Sequence, residues 1–180
     1  MAKTAIKRIG YGQVEPNHLS AQRNGQIYAQ LPAKSNITQL ENGQFVKYDY
    51  ENGEVNLTGA GEWLLVFNEI KNYAADKQGL RFFAQKKSDA VDGVITPRCF
   101  ATHVGDIYTT NCLGGANTSA DAEYAGLSLE VGSKLVIDNT TGFLVEADPE
   151  EEPTGQVWVV VKVYTVPDGV NPGVKLQRIQ

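Results

Sequence analysis

Residues 40–57 read LENGQFVKYDYENGEVNL, and 89 positions later residues 129–146 read LEVGSKLVIDNTTGFLVE. Laid over one another without gaps, the two stretches agree at Leu40/Leu129, Glu41/Glu130, Gly43/Gly132, Asp49/Asp138 and Gly53/Gly142. Their apolar positions also track, with Val46 over Leu135, Tyr48 over Ile137 and Val55 over Leu144. Each copy has a glycine, a strand-like run, an Asp-led turn ending in Gly, and a second strand-like run, which is how a β-hairpin is written. The Asp can accept from backbone amides further along the turn, and the Gly supplies a positive φ without steric cost. The shared turn residues favour an internal duplication. The plainer alternative, that any two hairpins share such residues, stays open at this point.

The rest of the chain is punctuated in the same style. Residues 62–69, EWLLVFNE, have a continuous apolar centre, which predicts a strand buried on both faces. Residues 156–166, QVWVVVKVYTV, are a dense β-branched and aromatic run and carry the strongest strand signal. Shorter strands are expected over 80–85, around 94–103 (bent at Pro97), over 105–112 and over 174–179, with one or two helical turns over 70–77. Residues 86–93, 113–120 and 148–153 read as loops. The prediction is an all-β fold, a compact β-sandwich or barrel-like domain with little helix. At 180 residues the chain is long enough to bury a core without metal or disulfide staples. Residues 1–35 are set apart as an extended N-terminal arm: Lys3, Lys7, Arg8 and Arg23 face only Glu15, and a first strand over 26–31 ends at Pro32. Residues 36–180 form the β-rich domain, with two lobes as its division if each hairpin organises one.

Little of the sequence points to chemistry. A net charge of −5 argues against a nucleic-acid binder held by phosphate contacts. No run of about 18 apolar residues exists to cross a membrane, and the basic opening lacks the apolar segment of a secretory leader. Cys99 and Cys112 are expected to be reduced. His18 and His103 have no metal-ligand partner at short spacing, and Cys99 and His103 would sit about 13 Å apart along a strand. No phosphate-cradling loop, dinucleotide fingerprint or nucleophile elbow is present. The acid pairs Glu62/Glu69 and Asp121/Glu123, and the run 148–152, read as surface charge. No cofactor is expected. Tyr28, Tyr48 and Tyr50, or Tyr108 and Tyr164, are candidates for a sugar-stacking surface, against the commoner role of half-buried sheet residues.

The second hairpin, Gly132-x-x-Leu135-x-x-Asp138-x-x-Thr141-Gly142-x-Leu144-x-x-Ala147, resembles the hairpin of small β-rich head proteins of tailed bacteriophages, capsid decoration proteins being the nearest comparison. Residues 104–111, VGDIYTTN, and the polar arm leading into a strand over 11–31 have a similar character. The resemblance covers about a third of the chain. It implies a non-enzymatic structural protein of the virion, present in many copies, with the major capsid protein or other virion proteins as partners. Lys3, Lys7, Arg8 and Tyr11 are the expected capsid contacts, because the basic arm contrasts with an acidic body. The alternative is a carbohydrate- or receptor-binding β module, which requires an exposed aromatic patch.

Overall fold

A computed structural model describes residues 2–15, 30–68, 83–118, 123–165 and 171–180. The described chain is all-β. Its strands are β1 (Thr4–Ile9), β2 (Val14–Glu15), β3 (Gln39–Glu41), β4 (Phe45–Asp49), β5 (Glu54–Asn56), β6 (Trp63–Val66), β7 (Ala84–Lys86), β8 (Cys99–Ala101), β9 (Ile107–Thr110), β10 (Glu123–Leu129), β11 (Lys134–Ile137), β12 (Leu144–Glu146), β13 (Val157–Thr165) and β14 (Pro172–Arg178). The helical structure among the described residues is two single 3-10 turns, Lys87–Asp89 and Val91–Gly93. The polar stretch expected as a loop over 86–93 therefore holds these turns. The strand expected over 80–85 is seen as β7, shifted toward Lys86. The helical turns expected over 70–77 and most of the strand expected over 26–31 lie outside the described residues.

The two hairpins organise two sheets that repeat one another strand by strand. The first sheet has the order β5-β4-β6-β8, and the second contains β12-β11-β13-β14, extended by β9 and β2. The registers correspond. Phe45 faces Leu65 as Lys134 faces Val159, Val46 faces Leu64 as Leu135 faces Trp158, and Tyr48 faces Val55 as Ile137 faces Leu144. The turns correspond too. Gly43 and Gly132 have φ of 98° and 94°, and Gly53 and Gly142 have 66° and 72°. Gly43 N donates to Val66 O, and Gly132 N to Val160 O. Glu41 N donates to the Gln44 side chain at 3.1 Å, and Glu130 N to the Ser133 hydroxyl at 3.2 Å. Even the isolated parallel bridges match, Ala33 with Val55 and Leu113 with Leu144. Two unrelated hairpins would share the turn glycines. They would not share a third and fourth strand in the same register.

The sheets stack in the same sense. Each has a front made of equivalent positions: Val46, Val55, Leu64, Val66 and Cys99 in the first, Leu135, Leu144, Trp158, Val160 and Leu176 in the second. The first front faces a small core closed by Ile37, Leu40 and Ile95. The second front faces the main core, where it meets the back of the first sheet through Phe45, Trp63, Leu65 and Phe100. Trp158 is fully buried there, its ring 6.0 Å from Phe45 and edge-on to Tyr108 at 5.0 Å. The first sheet is thus covered on both faces. That is why residues 63–66 are apolar without alternation and all four are buried, as that run predicted. Because the halves share the main core, each hairpin organises a layer of one body.

The leading segment requires a correction. Residues 2–15 are not a free extended arm: β1 pairs antiparallel with β10, and Ile6 is buried in the main core. Its place is the one β7 holds in the first half. Leu40 of β3 faces Gln85 of β7, and the equivalent Leu129 of β10 faces Thr4 of β1. The second half borrows its missing strand from the chain's beginning. Residues 16–24 of the expected arm lie outside the described residues.

Equivalent glycines in different surroundings give a direct test of this stacking. A Cβ at Gly53 meets nothing within 4 Å, whereas one at Gly142 falls 2.1 Å from Phe45 O, across the seam between the halves. Gly142 O also accepts from Phe45 N at 2.7 Å. In urea denaturation Gly53→Ala is expected to lose about 1 kcal/mol, from the left-handed backbone alone. Gly142→Ala is expected to lose about 3 kcal/mol or more, from strain, overpacking and the damaged hydrogen bond together.

Candidate functional site

The four residues expected to touch a partner divide into two pairs. Lys3 and Lys7 are on the surface, where each pairs with a body carboxylate, Glu146 at 2.7 Å and Glu123 at 2.9 Å. Arg8 and Tyr11 are inside, 1% and 5% exposed, so neither presents its side chain to an outside partner. Along β1, Ile6 and Arg8 point inward while Ala5, Lys7 and Ile9 point out. The alternation of a strand was present in the sequence, but an arginine held one of the inward positions.

Arg8 sits in a buried polar knot that engages its two terminal nitrogens and leaves its Nε without a hydrogen bond. Its Nη2 donates to Glu41 Oε2 at 3.1 Å and to Gly115 O at 2.9 Å, and its Nη1 donates to Asn111 O at 3.1 Å. The guanidinium lies 4.6 Å from the centre of the Tyr124 ring. Glu41 also accepts from Gly12 N and Asn117 N, both at 2.8 Å, and from the Gln39 amide at 3.3 Å. Burial pushes the Glu41 carboxyl above its ordinary range, opposed by Arg8 and by the amides of Asn117 and Gly12. The knot holds chain segments together: it joins β1 and the Gly12 turn after it to β3 and the 111–117 loop.

The cysteines are free and buried. Burial pushes the Cys99 thiol up to about 12 and drives Cys112 well above its usual range, with the nearby Glu41 carboxylate adding to the second shift. His103 is exposed, 3.8 Å from Asp106. Among the described residues no three His, Cys, Asp or Glu side chains gather as a metal site would. Glu62 and Glu123 are both surface acids taken up in ion pairs; Glu69 and Asp121 lie outside the described residues.

Two surfaces have the character of contact sites. One is the back of the second sheet, where Lys134, Val136, Val145, Val159 and Gln177 stand at least partly exposed. These positions are the counterparts of the Phe45, Leu65 and Phe100 row and its neighbours, which the first sheet buries. The other is a groove of about 590 Å³ at the open end of the small core. Leu64 and Ala101 form its floor, Tyr48 and Tyr50 one wall, and the 59–62 turn the opposite wall. The tyrosine rings stand 5.4 Å apart at 57°, and Tyr50 is 63% exposed. Tyr48 and Tyr50 are two of the candidate tyrosines, and the structure brings their rings together at the end of β4. Tyr28 lies outside the described residues, and Tyr108 is buried in the main core.

No family model, no curated protein and no solved structure matches this chain.

Two outcomes check the reading of the buried groups. Glu41→Gln is expected to cost about 3–5 kcal/mol, because Arg8 then stays buried without its counter-charge. The double change Arg8→Met with Glu41→Leu recovers part of that loss, while Lys3→Ala and Lys7→Ala each shift stability by less than about 1 kcal/mol. Separately, neither cysteine of the folded protein is alkylated by iodoacetamide at about pH 8, and both label once urea unfolds the chain, since only a thiolate in reach of reagent reacts.

Proposed function

We propose that this chain is a non-enzymatic structural protein of a virus particle, a decoration protein that binds the head lattice of a tailed phage in many copies. The observation that carries the reading is the open-ended stacking of the two halves. The back of the first sheet is a docking face, used inside the molecule against the second front. The back of the second sheet has the same backbone and is left partly exposed, with Lys134 in place of Phe45, Val159 in place of Leu65 and Gln177 in place of Phe100. A mixed apolar and polar face of this kind has the composition of a non-obligate interface. Its partner is the major capsid protein or another virion protein. Modest contacts at each site suffice, because repetition on a lattice raises occupancy. The hairpin likeness to phage head proteins points the same way.

The cross-braced core supports the role from the other side. A protein that grips a shell must not deform, and this one closes its layers around Trp158 and locks β1 with an internal ion pair. Lys3 and Lys7 stand at the rim of the body, so their part in binding is electrostatic steering at most.

The test is quantitative mass spectrometry of purified particles from the source, followed by rebinding of purified protein to particles stripped of it. The expected result is many copies per particle and saturable rebinding. Val159→Asp is expected to abolish rebinding while leaving the melting temperature within a few degrees of the parent, because its side chain lies outside the main core. Absence of the chain from particles, or undiminished rebinding by the variant, contradicts the proposal.

A further inference from the structure

We propose that the groove beside Tyr48 and Tyr50 is a saccharide-binding site that takes an uncharged oligosaccharide of two or three rings. The inference rests on the groove alone and stands whether or not the chain sits on a capsid.

The groove is preformed. Lys47 Nζ donates to Gly59 O at 2.8 Å and lies 4.5 Å from the centre of the Trp63 ring, which pins the far wall to β4. Asn56 Oδ1 accepts from Thr58 N at 2.8 Å and fixes the entry to that wall. A volume of about 590 Å³ falls within the range of small-molecule sites, and a site that needs no reordering keeps more of its contact energy. The two tyrosines make an open V, with flat apolar ring faces and polar hydroxyl ends. Glycines 59 and 61 carry no side chain into the groove, so its lining there is backbone. Aromatic faces for C–H edges, with mixed donors and acceptors around them, are what a pyranose ring recognises.

The charges decide against an anionic ligand. Asp49, Glu51 and Glu62 line the groove, and no lysine or arginine does. Yet the two best-placed carboxylates are already occupied. Asp49 accepts from Asn52 N and Nδ2 and from Asn56 Nδ2, and the Asn52 contacts hold its carboxyl below the usual range. Glu62 is paired with Arg178 at 2.7 Å and also accepts from Gln156. These groups repel an acidic sugar while offering lone pairs to hydroxyls, and the hydrogen bonds of Asp49 and the ion pair of Glu62 reduce what an ammonium group would gain there.

The experiment is a glycan array probed with the full chain, followed by an amide-resolved NMR titration with the best array ligand. Sialyllactose and a lysine-rich peptide serve as charged probes. The expected result is an uncharged glycan that shifts the amides of Gly59, Gly61 and Tyr50 saturably, with Tyr50→Ala weakening it about tenfold or more. Tyr50 is exposed, so the variant keeps the parent's dispersed spectrum and melting temperature. The proposal is overturned if no arrayed glycan binds, if the shifts fall elsewhere, if Tyr50→Ala binds equally well, or if the peptide or sialyllactose is the ligand that occupies the groove.

Discussion

The back of one four-stranded sheet packs against the front of its counterpart, and Trp158 is where the two meet. Burial of large apolar side chains such as Phe45, Trp63, Leu65, Phe100 and Trp158 is the chief source of stability in a fold whose described residues form no α-helix and whose cysteines are free. The same-sense stacking explains the rest of the layering. The first front needs its own cover, and the segments around Ile37, Leu40 and Ile95 supply it. The second back is only partly buried among the described residues. Backbone geometry is shared by the halves, so it is the side chains that say which face is inside: Phe45, Leu65 and Phe100 in one copy against Lys134, Val159 and Gln177 in the other.

The second half is incomplete without β1, and this gives the Arg8–Glu41 pair its meaning. A strand donated from the chain's beginning has to be held in place from a distance in sequence. A buried arginine bridging to the first half's Glu41 and to the carbonyls of Asn111 and Gly115 does so with directional bonds. Such a pair adds little net stability over an apolar substitute, but a mis-seated β1 would leave both charges unpaired. The knot is best understood as fixing register.

Much of this was legible beforehand, for reasons that can be named. The hairpins were visible because Asp49 and Asp138, with the glycines after them, are constrained by turn geometry and not by packing. Residues 63–66 and 157–165 were visible because burial on two faces, or a long β-branched run, leaves few other readings. Thr4–Ile9 was missed because Arg8 occupies an inward position and reads as surface charge; only Glu41, 33 residues away, makes it a core residue. The same-sense stacking was also out of reach, since it depends on which face of a repeated unit carries Phe45 and which carries Lys134, and hairpin residues alone do not order layers. The groove was scarcely visible: Tyr48 and Tyr50 were only candidates, and the rest of the lining comes from the 59–62 turn and from Ala101, on a strand far along the chain.

A stacked body with one face partly exposed and a separate aromatic groove is the basis of the proposed role in an assembly. That view depends on β1 being an integral strand of the second half and not a loose tail. Native-state hydrogen exchange on the full chain tests it most directly. The amides of β1 that pair with β10 are expected to be protected to the same degree as those of β11 and β13, opening only with global unfolding. Exchange of residues 4–9 at the rate of an exposed loop, with β11 and β13 still protected, would contradict the account.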